Sequence, residues 1–155
     1  MQLNGKALGW LALIHMETGI QLTVEWLDDN LVGLRIRASN GSFSGVADVV
    51  VAADFARHLA ETVVGFPRAA ADRRSAELGT FDPEYAGGGV RLDFHTIDGA
   101  GHAVVDVVLR TDPHAGSPET AAFVIPLEAA RIDEFIAQLG GMSLEPGAGA
   151  RLVAA

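Results

Sequence analysis

Between Val90 and Arg110 the chain alternates apolar and polar residues on both sides of a turn-forming cluster, and no other stretch constrains the fold as tightly. Val90, Leu92 and Phe94 share one side of an extended strand, with Arg91, Asp93 and His95 on the other. Asp98, Gly99, Ala100 and Gly101 supply a turn. Ala103, Val105, Val107 and Leu109 then resume the apolar side, while His102, Asp106 and Arg110 resume the polar one. A period of two on both arms specifies an antiparallel hairpin with one buried face.

The same logic applies upstream. Gln21 to Trp26 alternates in the same way, Asp28-Asp29-Asn30 turns the chain, and Leu34-Arg35-Ile36-Arg37 alternates again. Asn40-Gly41 is a hairpin turn, and Phe43 to Val51 is its return strand. The period then changes. Phe55, Leu59 and Val63 are four apart and predict a helix with Asp54 as its cap and Gly65 and Pro67 as its stop. Residues 68–89 are less regular, with Asp72-Arg73-Arg74 read as a solvated connection and a short strand near Ala76 to Phe81. Ala121 to Ile125 is a further strand. Pro126 and Glu128 open a second helix whose buried side is Ile132, Phe135, Ile136 and Leu139, ended by Gly140-Gly141.

Strand, turn, strand, helix therefore occurs twice. The implied class is α+β: a mostly antiparallel sheet with two main helices packed on one face, built from pseudo-duplicated strand-strand-helix units. Residues 1–142 form a single domain on this reading, and residues 143–155, rich in Gly, Ala and Pro, are a loosely held tail. The chain of 155 residues is 49% hydrophobic, which is enough for one core. Residues 7–14 are apolar but too short to span a bilayer. They read as a buried strand, leaving a cytoplasmic protein with no membrane partner.

Charge and composition exclude several kinds of chemistry. Lys and Arg total 11 against 20 Asp and Glu, a net charge of −9, which argues against nucleic acid as a partner because phosphate binding relies on positive charge. The absence of cysteine removes thiol catalysis, disulfide scaffolding and thiolate metal sites. No Gly-x-Ser-x-Gly elbow is present, and nothing ties Ser39, Ser44 or Ser75 to a histidine. Gly87-Gly88-Gly89 leads into a strand rather than a helix, so it reads as a permissive loop and not a phosphate cradle. His58 reads as an exposed helical residue and His114 as a loop residue without a partner. Asp28-Asp29-Asn30 has too few carboxylates for a calcium loop. Trp10 and Trp26 read as core residues; exposure of either would point to an interface.

The candidate polar patch is Asp93, His95, His102 and Asp106, on the polar face of the central hairpin. Two registers are open. One sets 99 opposite 102 and brings His95 across from Asp106, an arrangement that orients an imidazole for proton transfer or metal binding. The other sets 98 opposite 101 and faces Asp93 with Asp106, which repel unless a cation lies between them. The competing reading is an ordinary solvated sheet face.

Glu25-Trp26-Leu27, the passage from Val49 to Pro67, Phe81-Asp82-Pro83-Glu84 before the Val90 strand, and Phe123-Val124-Ile125-Pro126-Leu127 together resemble small bacterial proteins of the WapI-type immunity group. That resemblance implies a small, acidic, non-catalytic protein that neutralises a toxin by binding it. Acidic charge favours a basic partner. The reading of the whole chain is a non-enzymatic protein-binding domain without a cofactor, engaging a protein partner or itself as a homodimer. The alternatives are a small-molecule-binding domain with its pocket between sheet and helices, which a cavity lined by Trp10 or Trp26 would favour, and a metal-dependent enzyme using His95, His102 and Asp106.

Overall fold

The computed structural model describes residues 17–155. The chain runs through β1 (Gly19–Asp28), β2 (Leu31–Ser39), β3 (Ser44–Ala52), α1 (Phe55–Val63), β4 (Arg73–Gly79), β5 (Gly89–Thr96), β6 (Ala103–Arg110), β7 (Thr120–Leu127), α2 (Ala129–Gly140) and β8 (Gly149–Val153). Residues 7–14, including Trp10, lie outside the described residues. The class is α+β, and among the described residues every strand pairing is antiparallel. The strands divide into two four-stranded sheets, β3-β2-β1-β8 and β4-β5-β6-β7. Among the described residues no helix is long and apolar enough to cross a membrane.

The repeated element order takes a specific form. Each half makes a three-stranded meander and a helix, then sends its next strand into the sheet of the other half: β4 pairs with β5, and β8 pairs with β1. The two sheets meet through β3, which packs on β4, β5 and β6, and the helices pack on each other, with α1 also on β4 and α2 on β8. Alternate residues from all these elements enter one core. Ile20, Leu22, Leu34, Ile36, Phe94, Ile125, Ile132, Phe135 and Leu152 are all fully buried. Each such side chain withdrawn from water contributes roughly 1.5–3 kcal/mol before entropy is counted.

Several local expectations are corrected by packing. Residues 143–155 are not a loose tail: Gly149–Val153 is β8, with Ala150 and Leu152 buried against β1. Pro126 does not open α2 but lies in β7, an edge strand where a missing N–H is tolerated, and its carbonyl accepts the Ala155 N–H. Asp54 precedes α1 without a side-chain capping bond, because its carboxylate is taken by Arg57 and His58 one turn on.

Residues 72–74 are not a solvated connection either. Asp72 and Arg74 side chains are 15% and 17% exposed, and the Arg74 guanidinium donates to Asp72 at 2.9 Å, to the Thr62 carbonyl at 3.1 Å and to the Val64 carbonyl. It also lies over the Phe66 ring, 5.6 Å from the centroid. One side chain thus closes the carbonyl end of α1 and anchors the start of β4. Arg74 first, and the Arg68 N–H second, hold the Asp72 carboxyl below its ordinary value. A carboxyl that binds protons less readily when folded stabilises fully above about pH 4 and loses that contribution as pH falls through its lowered folded value. Asp72→Asn is therefore expected to lower the melting temperature at pH 7 and to converge on the parent protein towards pH 3. Thermal melts across that range check this, and a constant difference at every pH would contradict it.

The Gly87-Gly88-Gly89 stretch is a close-packed junction rather than a permissive loop. The Gly88 N–H donates to the Asp48 carbonyl of β3 at 2.8 Å. A Cβ on Gly88 would lie 2.4 Å from the Arg110 carbonyl oxygen and 3.0 Å from that of Asp48. Glycine here lets the backbones of the two sheets touch.

Candidate functional site

The four residues of the polar patch, Asp93, His95, His102 and Asp106, separate into different partnerships on the hairpin. The register is the one that sets Asp93 opposite Asp106. No cation is needed between them, because each carboxylate has its own donor. The Ser75 hydroxyl, on the adjacent β4, donates to Asp93, and His95 Nε2 donates to Asp106 at 3.0 Å. His95 reaches Asp106 on the diagonal, which the separation of second neighbours in a twisted antiparallel pair allows for a long side chain. The other ring nitrogen of His95 lies 3.2 Å from the Thr96 carbonyl oxygen. His102 turns away from this pair: its Nδ1 and its backbone N–H both bind Asp98 in the turn, and the His102 ring, first, holds the Asp98 carboxyl below its ordinary value. Among the described residues no group of three or more His, Asp and Glu side chains is placed to hold a metal ion.

The lesser candidates are placed as follows. His58 is exposed on α1, bonded to Asp54. His114, read as partnerless, donates from Nε2 to the Pro83 carbonyl at 2.9 Å, so it joins two loops. Asp29 adopts a positive φ in the tight β1–β2 turn. Ser39 is buried and accepts the Gly41 N–H, a structural role in the β2–β3 turn.

Trp26 is the main departure. It is 42% exposed rather than in the core. Strict alternation puts Trp26 on the side of Leu22 and Val24, but a bulge between Val24 and Trp26 shifts the register so that Trp26 pairs with Gly33. One extra residue reverses the faces of everything beyond it. The indole lies where a side chain at Gly33 would be: a Cβ there would sit 2.2 Å from Trp26 Nε1. Trp26 therefore covers the face of the first sheet that points away from the core.

A groove of about 440 Å³ opens beside that indole. Its floor is Gly33, Arg35, Asp48 and Val50, with Glu25 and Trp26 on one side and Ala86, Gly87, Asp112 and Ala115 on the other. Arg35 forms a two-pronged bond with Asp48, Nε to Oδ1 at 2.8 Å and Nη2 to Oδ2 at 3.1 Å, and its Nε is 3.4 Å from Glu25 Oε1. Asp48 above all keeps the Arg35 pKa raised. Asp112 is held below its ordinary carboxyl value by the His114 N–H and then by the Gly87 N–H. Sequence reasoning missed this groove. Its walls come from the β5 approach and the loop after β6, and the one sequence signal was the composition of Glu25-Trp26 itself. No family model matches this chain, and comparison with curated proteins and with solved structures found no match.

Proposed function

We propose that this chain is a non-enzymatic protein-binding domain that presents the end of the β1–β2 hairpin and the adjoining outer sheet face to a basic protein, in the manner of the immunity proteins it resembles. The observation that carries the reading is the exposure of three large apolar side chains at that hairpin end: Trp26 at 42%, Leu27 at 47% and Leu31 at 50%. Trp26 pairs with Gly33 and Asp28 with Leu31, which places Trp26 and Leu31 on the outer face, while Leu27, beside the buried Val32, is exposed on the opposite face of the same hairpin end. An aromatic anchor with aliphatic neighbours and a charged border is the composition of an interface centre. Glu25, Asp28 and Asp29 supply the border, all acidic. The net charge of −9 favours encounter with a basic partner and disfavours a second copy of the same acidic surface. A small-molecule ligand is the second reading, supported by the position of Trp26 in the wall of the groove.

The decisive experiment captures partners on immobilised protein from an extract of the cells that make it, with Trp26→Ser/Leu31→Asp as the control. A basic protein is expected on the parent, at least about tenfold depleted on the variant, with the melting temperature of the two alike. Equal capture by both, or no capture at roughly micromolar protein, would remove the reading. A parent dimer that the double substitution dissociates would make the partner a second copy.

A further inference from the structure

We propose that the groove beside Trp26 seats a cationic side chain, arginine in preference to lysine, projecting from the surface of the partner. This inference rests on the protein-binding reading and specifies the chemistry of its contact.

The groove combines two features that each select a cation. The first is the indole of Trp26, backed by the glycine floor at Gly33 and 42% exposed. Tryptophan offers the most electron-rich ring face for a guanidinium or ammonium group. The second is the charge of the lining: Glu25, Asp48 and Asp112 against a single guanidinium, that of Arg35. Arg35 occupies both oxygens of Asp48 and ion-pairs with one oxygen of Glu25, Nε to Oε1 at 3.4 Å, leaving Glu25 Oε2. Asp112 is bonded by backbone N–H groups, which keep it ionised without neutralising it. Glu25 and Asp112 therefore stand on opposite sides of the groove with acceptor capacity left over, and the indole borders the space between.

A planar guanidinium fits this arrangement because it stacks on an aromatic face while its edge N–H groups bond to carboxylates. An ammonium forms the charge contact but loses the stacking, which sets the preference for arginine. The groove is a surface feature on the outside of a sheet and not an enclosed cavity. Small-molecule sites typically bury most of their ligand, so a side chain held in place by a surrounding protein interface suits an open groove better than a free cation. The acidic charge of the chain as a whole adds long-range attraction of the same sign.

The test titrates the intact protein with an acetylated hexapeptide of alternating arginine and glycine, and with its lysine and glutamate counterparts. Calorimetry gives the affinity, and the indole N–H resonance of Trp26, assigned by its disappearance in Trp26→Phe, gives the location. The arginine peptide is expected to bind and to move that resonance, the lysine peptide to bind more weakly, and the glutamate peptide to do neither. Glu25→Gln/Asp112→Asn is expected to weaken the arginine peptide about tenfold, with its melting temperature measured alongside. Asparagine at 112 retains an oxygen for the loop N–H groups, which protects the fold. A stationary Trp26 resonance, unchanged affinity in the double variant, or equal binding of the glutamate peptide would each overturn the proposal. Binding of free argininamide as tightly as the peptide would also overturn it by assigning the groove to a small cation. The broader reading fails separately. A captured partner that is lost with Trp26→Ser/Leu31→Asp but retained by Glu25→Gln/Asp112→Asn leaves protein binding standing and removes the arginine seat.

Discussion

Deleting residues 149–155 is expected to leave a chain with no cooperative unfolding transition. β8 supplies the fourth strand of the first sheet, pairing five residues with β1 from Gly19↔Val153 to Thr23↔Gly149. Its Leu152 is fully buried and its Ala150 nearly so, and α2 packs on it. The Ala154 N–H reaches the Thr18 carbonyl and the Ala155 N–H reaches the Pro126 carbonyl in the second sheet, so the last residues tie both sheets together. Deletion strips β1 of one of its two partners, opens an unpaired strand edge and uncovers the underside of α2. The point version is Leu152→Asp, which places a carboxylate in the core with no cation. Burying an unpaired charge costs on the order of 4 kcal/mol or more, a large part of the 5–15 kcal/mol that holds a typical domain together. Arg151→Ala is the matched control: this side chain is exposed and ion-paired with Glu17, so its loss should cost within about 1 kcal/mol. Circular dichroism melts of the three variants decide the matter. A truncated protein that melts like the parent would mean that β8 contributes nothing to stability.

Gly79→Ala carries the second large effect, an expected loss of about 2–4 kcal/mol. Gly79 has φ of +75°, and a Cβ there would lie 2.3 Å from the Gly88 carbonyl oxygen and 2.8 Å from Val49 Cβ. The left-handed conformation alone costs an L-residue roughly 1–2 kcal/mol. The remainder comes from backbone that cannot move aside, because Gly88 is itself held to Asp48 of β3 by its N–H. Gly101→Ala separates the two contributions. Gly101 also has a positive φ, +82°, but a Cβ there meets nothing within 4 Å. It should show the conformational cost without the clash. Urea denaturation of both variants gives the difference, and equal losses would place no special constraint at the sheet junction.

Much of the secondary structure was legible because it depends on neighbours in sequence. The alternation of Val90 to Phe94 and Ala103 to Leu109, and the fourfold spacing of Phe55, Leu59 and Val63, are local periods that strands and helices must show if one face is buried. The duplicated order followed from the same patterns, as did the polar patch, since alternation assigns Asp93, His95 and Asp106 to one side. The pairing of Asp93 with Asp106 was one of two registers left open, and the structure adds the diagonal bond from His95 and the hydroxyl of Ser75 on a strand the hairpin pattern does not include.

Local pattern alone therefore determined where most strands and helices lie, which faces are apolar, and that the chain is acidic and without thiol chemistry. Tertiary structure decided the rest. Residues 149–153 contain two glycine- and alanine-type positions in five and carry too weak a period to announce a strand; they become one because β1 offers a free edge about 130 residues away in sequence. Asp72 and Arg74 look like a solvated charge run until the end of α1 presents Arg74 with unpaired carbonyls, and Arg74 in turn holds Asp72. Trp26 belongs to the buried face by alternation, and a single bulge moves it to the outer one, where it borders the groove. In each case the deciding energy is an interaction between distant segments, a backbone edge, a carbonyl or a register, which composition and period along one segment do not encode.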